Sequence, residues 1–121
     1  MQRLRRCLIA SLILVMLPLS VTATTANTEQ EVQHLFNFIV ESDCTFIRNN
    51  TEYTANEARD HMQRKYDYAR RWIGNAEQFI SRIASKSSMS GNRYQIRCQN
   101  QLLYSDNWLT QELQRFRTSQ Q

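Results

Sequence analysis

The sequence predicts an α+β fold: a small single domain of about four helices packed on a short antiparallel sheet made of two hairpins. Three observations carry that expectation. A stretch behind Thr54, free of Gly and Pro, places apolar residues at helical steps. Two short β-prone runs flank Asn49-Asn50, and Arg93 to Cys98 alternates strictly between polar and apolar residues. Helical and strand patterns mixed within 121 residues, room for one domain, give an α+β chain.

The first element is a leader. Arg3, Arg5 and Arg6 form a positive start, and Cys7 to Leu19 is an apolar run broken only by Ser11 and Pro18. Val21-Thr22-Ala23 then supplies the small residues that a signal peptidase reads. Residues 1–23 are therefore expected to be a secretory signal peptide, too short for a membrane span. A retained anchor is the alternative. Cleavage after Ala23, or failing that after Ala26, leaves a periplasmic or secreted protein of a Gram-negative bacterium, with no stable membrane insertion. The formal charge of +4 belongs to the uncleaved chain. Removing the three leader Arg leaves 12 basic against 11 acidic side chains, a net charge of +1. A near-neutral chain lacks the basic excess of a nucleic-acid binder, so that class is excluded.

Cys7 leaves with the peptide, and Cys44 and Cys98 remain. Two cysteines in an oxidising compartment read as one disulfide, with separate thiols or a redox pair as the alternative. No Cys-x-x-Cys supports redox chemistry. Closing a loop of this length stabilises by up to about 4 kcal/mol in the chain-entropy view.

The remaining elements follow in order. Residues 24–28 are expected to be a polar leader. Thr28 and Glu31 have capping-box spacing, and Val32, Leu35, Phe36 and Ile39 continue at helical intervals, giving a first helix over Glu29 to Glu41. Cys44 to Arg48 and Thr51 to Tyr53 then form a hairpin around Asn49-Asn50, since Asn tolerates the left-handed backbone of a two-residue turn. Thr54 and Glu57 make the second capping box. Ala58, Met62, Tyr66, Ala69 and Ile73 form the buried face of the central helix, closed by Gly74. Asn75 and Gln78 open a third helix that buries Phe79, Ile80 and Ile83. A serine-rich loop from Ser85 to Asn92 turns at Gly91. Arg93 to Cys98 is a half-buried strand, and Gln99-Asn100 turns it into Gln101 to Tyr104. Ser105 is expected to cap a last helix carrying Trp108, Leu109, Leu113 and Phe116. The domain spans residues 29–117, and residues 118–121 are a loose tail.

Several of these stretches resemble one family. Phe46-Ile47-Arg48-Asn49, Glu57-Ala58 with His61, Ala76-Glu77-Gln78-Phe79-Ile80, Ala84 to Gly91 and Tyr94-Gln95-Ile96 are similar to the YfeK-like family of small exported bacterial proteins. These carry a domain of unknown function. The resemblance covers roughly Glu29 to Phe116, and the serine loop is its most specific part. This chain has Asn50 where the pattern favours Gly, and Arg93 where it favours Pro. The resemblance implies compartment and fold, and no mechanism.

Candidate chemistry concentrates in two places. In the loop, Lys86, Ser87, Ser88, Ser90, Gly91 and Arg93 combine hydroxyls, backbone N–H groups and two cations, a set suited to a small anionic or sugar ligand. The alternative is a solvated connection whose serines bond their own backbone. On the central helix, His61, Lys65, Tyr68 and Trp72 form an aromatic and basic stripe. It reads either as a patch for a periplasmic protein partner or as the second wall of the core. Arg64, Arg70 and Arg71 are expected to pair with Asp60 and Asp67 along the helix surface. Glu57 and His61 stand one turn apart but lack a third metal ligand, so neither metal nor cofactor is expected. Ser90-Gly91-Asn92 superficially matches a motif of penicillin-binding enzymes, but no Ser-x-x-Lys accompanies it. The leading expectation is a non-enzymatic binding or interaction module. Its rivals are a hydrolase-like enzyme using Ser88 or Ser90 with His61, and an inhibitor of another enzyme.

Overall fold

The computed structural model describes residues 22–121. The signal peptide expected over residues 1–23 lies, as far as residue 21, outside the described residues. No described helix is long and apolar enough to cross a membrane. In chain order the elements are α1 (Thr22–Ser42), β1 (Thr45–Arg48), β2 (Thr51–Tyr53) and α2 (Ala55–Ala69), which runs into a 3-10 turn (Arg70–Trp72). Then come α3 (Ala76–Arg82), β3 (Gln95–Cys98), β4 (Gln101–Tyr104) and α4 (Ser105–Ser119). This is the α+β arrangement that the sequence predicts, four helices and two hairpins.

Both hairpins turn on paired left-handed residues. Asn49 and Asn50 have φ of 50° and 63°, and Gln99 and Asn100 have 48° and 65°. Two successive positive φ values match the right-handed twist of the flanking strands, which is why two-residue loops suffice. The hairpins join through β1 and β3 into one antiparallel sheet of order β2-β1-β3-β4. Phe46 stands opposite both Tyr53 and Ile96. The disulfide Cys44–Cys98 ties the hairpins together at the start of β1 and the end of β3, with Cα atoms 4.9 Å apart. One face of the sheet buries Phe46, Tyr94 and Ile96 against the helices, while Arg97, Leu102 and Tyr104 remain exposed.

The core runs from α1 through α2 to α3. Val32, Leu35, Phe36 and Ile39 are fully buried on α1, and the Phe36 ring meets Phe79 edge-on at 5.1 Å. Tyr66 stands edge-on to Phe79 as well, and its hydroxyl donates to Glu29 Oε2 at 3.0 Å. The aromatic body thus fills the core while the polar tip reaches a partner.

The α2 capping box forms as expected: Glu57 N donates to Thr54 Oγ1 and Thr54 N donates to Glu57 Oε2. Four other expected termini differ. Helix α1 begins at Thr22, so the polar leader is helical and Thr28 is not a cap. The Thr28 hydroxyl instead donates to Gly74 O at 3.2 Å, and Glu31 pairs with Arg117. Asn75 does cap α3, but Gln78 Oε1 accepts from Gly74 N rather than Asn75 N, closing the box one residue early. Because β4 enters α4 without a connecting residue, the cap position falls on Tyr104. Ser105 becomes a buried first-turn residue, and its hydroxyl has no partner among the described residues. At the far end α4 continues to Ser119, where Thr118 and Ser119 hydroxyls donate back to carbonyls of the last turns.

Ion pairs stitch the helices. Arg117 on α4 bridges Glu31 on α1 and Glu77 on α3. Glu112, also on α4, takes His34 of α1 and Arg115. The His34 ring stacks on Phe116 with centroids 3.9 Å apart.

Candidate ligand cleft beside the central helix

Strand periodicity sends Phe46 and Arg48 to the same, helix-facing side of β1. Helical periodicity sends Ala58, His61 and Met62 of α2 to meet them. Between these elements lies a cleft of about 280 Å³. Phe46, Tyr53, Ala58, Met62 and Tyr94 give it an apolar floor, and Arg48, His61 and Arg64 line it with nitrogen.

His61 is held from two sides. Its Nδ1 lies 3.4 Å from Arg48 Nη1 and its Nε2 lies 3.3 Å from the Tyr94 hydroxyl. A guanidinium can only donate, so Nδ1 accepts and the neutral ring carries its proton on Nε2, facing Tyr94. Burial, followed by the charges of Arg48, Lys65 and Arg64, lowers the His61 pKa from its ordinary value. The ring is therefore neutral at pH 7. Lys65, one turn on, donates to Tyr94 Oη at 3.2 Å and to the carbonyls of Ile83 and Lys86. Burial and then Arg48 lower its pKa too. Burial raises that of Tyr94, so the phenol stays protonated. Its oxygen already accepts two bonds, which leaves the O–H hydrogen for a third partner.

The balance of charge is one-sided. Among the described residues, Arg48, Arg64 and Lys65 are ion-paired with no carboxylate. The two acids at the rim are engaged elsewhere: Glu57 in the capping box and Asp60 with Arg59. The expected pairing along the helix surface is thus redistributed. Asp67 accepts from Gln63, Arg70 reaches Glu29, and Arg71 lies over the Trp72 ring.

The aromatic and basic stripe divides in the middle. His61 and Lys65 are half-buried under the hairpin and the serine loop, whereas Tyr68 and Trp72 are 83% and 51% exposed. The second half is therefore not a core wall.

The serine loop is tightly tied. Tyr94 N donates to Ser85 O, Ser87 N to Asn92 O and Gly91 N to Ser87 O, each at 2.9 Å, and Gly91 takes φ of 74°. The buried Ser87 hydroxyl accepts from Met89 N and Ser90 N, and the Ser90 hydroxyl donates to Asn49 Oδ1 at 2.6 Å. Asn49, in the first hairpin turn, also takes Asn92 Nδ2. Hydroxyls that the sequence offers to a ligand are thus engaged within the chain. Ser88 and Lys86 remain exposed at the loop surface, and Arg93 pairs with Asp106. Neither Ser88 nor Ser90 lines the cleft that holds His61, and both ring nitrogens of that histidine already face other groups. No cluster of three His, Cys, Asp or Glu residues suited to a metal occurs among the described residues.

Sequence reasoning singled out His61 but missed Arg48, Arg64 and Tyr94 as its companions. The signal was available in part. Arg48 stands two residues from Phe46 and Tyr94 two from Ile96, so each shares the buried side of its strand. That these two sides converge on His61 depends on how the hairpins dock.

Residues 26–117 match the model of a family of unknown function, DUF5329, and the protein belongs to that family. It is similar to the uncharacterized protein YfeK of Salmonella typhimurium, with 36% identity over 70 residues, 57% of this chain and 58% of that one. The chain thus spans less than two thirds of that relative's length. No solved structure matches.

Proposed function

We propose that the protein is an exported, non-enzymatic binding module whose α2–β1 cleft takes a small anionic ligand with an apolar body. One observation carries the reading: cations without carboxylate partners stand at a cleft whose floor is aromatic and aliphatic. An anion placed there meets Arg48, Arg64 and the unassigned Tyr94 hydroxyl hydrogen, and its apolar part meets Phe46 and Met62. Charge-assisted hydrogen bonds of this kind are the strong ones. Once Arg48 turns its guanidinium to the anion, His61 Nδ1 is released from that bond and can take up a proton. A hydrolase built on Ser88 or Ser90 with His61 is disfavoured, because neither serine lines the histidine's cleft. Export rests on the basic start, apolar run and small residues of the leader.

Hexyl sulfate tests the binding reading, since it stays ionised throughout the useful pH range and carries an apolar tail. Calorimetry on the mature chain, its start at Thr24 verified by intact mass, is expected to show binding that inorganic sulfate and hexanol each match only weakly. Arg48→Gln should weaken it by about tenfold or more, the loss of a charge-assisted contact. Hexanol binding as tightly as hexyl sulfate would overturn the anion reading. An uncleaved Met1 would overturn the export reading.

A further inference from the structure

On the opposite face of the sheet lies a second concavity, a groove of about 470 Å³. Its floor is a cross-strand row. Ile47 of β1 stands opposite Gln95 of β3, which stands opposite Tyr104 of β4. Its walls are the Asn49-Asn50 turn and the end of the serine loop at Gly91, Asn92 and Arg93. Those walls are tied to each other, since Asn49 Oδ1 accepts from both Ser90 and Asn92.

We infer that this groove is a binding site for a neutral saccharide, distinct from the anion cleft. The groove carries no unbalanced charge: the single cation at it, Arg93, is neutralised by Asp106 through contacts of 2.8 and 3.1 Å. The same guanidinium lies 3.6 Å from the Tyr104 ring centroid and holds that ring in place, 41% exposed. Arg93 takes one face of that ring, and the other is a flat apolar surface that suits the C–H face of a pyranose. Around it, the side-chain amides of Asn50 and Gln95 have no partner among the described residues. Each amide presents a carbonyl acceptor beside an NH₂ donor, and a sugar hydroxyl is donor and acceptor at once. A groove of amides with one aromatic and little apolar lining is poorly suited to a lipid tail, and its neutrality gives an anion no advantage. Because the serine loop is braced against the first hairpin, the walls are pre-organised and binding orders few groups.

The test is an NMR titration of the mature chain with maltotriose and with chitotriose, both neutral, each to about 10 mM, where even millimolar affinity registers. The expected result is movement of the Asn50 and Gln95 side-chain amide signals and of the backbone around Tyr104 with at least one trisaccharide. Asn50→Gly combined with Gln95→Ala should weaken this by about tenfold. Glycine retains the positive φ that the turn needs at residue 50, so that variant is expected to fold, as its unchanged far-UV spectrum would establish. Arg48→Gln should leave the saccharide response intact, which separates this site from the cleft. The inference is overturned if neither trisaccharide moves those signals, if inorganic phosphate moves them equally, or if the folded double variant binds as the parent does.

Discussion

The ion-paired seam along α4 and the cationic cleft beside α2 use the same residue types in opposite ways. In the seam, Arg117 holds two carboxylates, and Glu31, only 4% exposed, has its charge matched by that one guanidinium. Glu112 is held similarly: burial pushes its pKa up, but hydrogen bonds from Arg115 and His34 outweigh this and keep it low. In the cleft, Arg48 and Arg64 have no carboxylate, and the nearby histidine is neutral. A charge buried in a protein is normally paired, so a partnered cation belongs to the fold. A cation left without a partner at a concavity is available to something else. The difference separates residues that hold this domain together from residues that could serve a ligand.

The largest effect should come from exchanging the two arginines. Arg117→Gln leaves Glu31 without its cation, and breaking such a pair typically costs about 3–5 kcal/mol. Arg117 is itself 35% exposed, so a loss of about 2–3 kcal/mol is expected, read as a lowered urea midpoint. Arg48→Gln without ligand should shift stability by no more than about 0.5 kcal/mol. Equal losses at the two positions would erase the distinction.

An intermediate effect tests the same logic on neutral groups. Ser87→Ala removes a buried acceptor from two backbone N–H groups and should cost about 1 kcal/mol. Ser88→Ala, at an exposed hydroxyl with no partner among the described residues, should stay within about 0.5 kcal/mol. Thermal melts of the two variants decide this. A destabilised Ser88→Ala would show that the loop surface has a structural role.

The smallest effect is in pH. His61 has a lowered pKa in the folded chain, so the unfolded chain binds its proton first as pH falls. Its contribution to stability is full above the ordinary value of 6.5 and is lost as pH falls through that value toward the lowered one. His61→Gln should therefore flatten the acid side of the stability profile below about pH 6.5. Bound hexyl sulfate should favour the protonated ring, so its affinity should rise as pH falls through the same window. An unchanged profile in the variant, with pH-independent binding, would remove His61 from the cleft's chemistry.

Local pattern was enough for most of the architecture. The helices follow from periodicity and capping residues, and the hairpins from Asn49-Asn50 and Gln99-Asn100, because these signals involve neighbours within a few positions. The disulfide was legible from cysteine count once export was inferred, and so was its joining of the two hairpins, since Cys44 begins the first and Cys98 lies in the second. Termini were less legible. Thr28 and Ser105 both look like caps, yet one lies inside a longer helix and the other follows a strand that runs straight into α4.

The candidate site divides along the same line. Sequence by itself determined that His61 and Lys65 share a helix face and that the serine loop is rich in donors. Only the tertiary structure decided which of those groups remain available. It engaged Ser87 and Ser90 within the loop and with Asn49, 38 and 41 positions away. It left Tyr68 and Trp72 uncovered, and it brought Arg48 and Tyr94 to His61 across separations of 13 and 33 residues. The physical reason is range. Helical and strand periods act over a few residues, whereas whether a polar group is satisfied depends on partners that only the docking of two hairpins on one helix brings near.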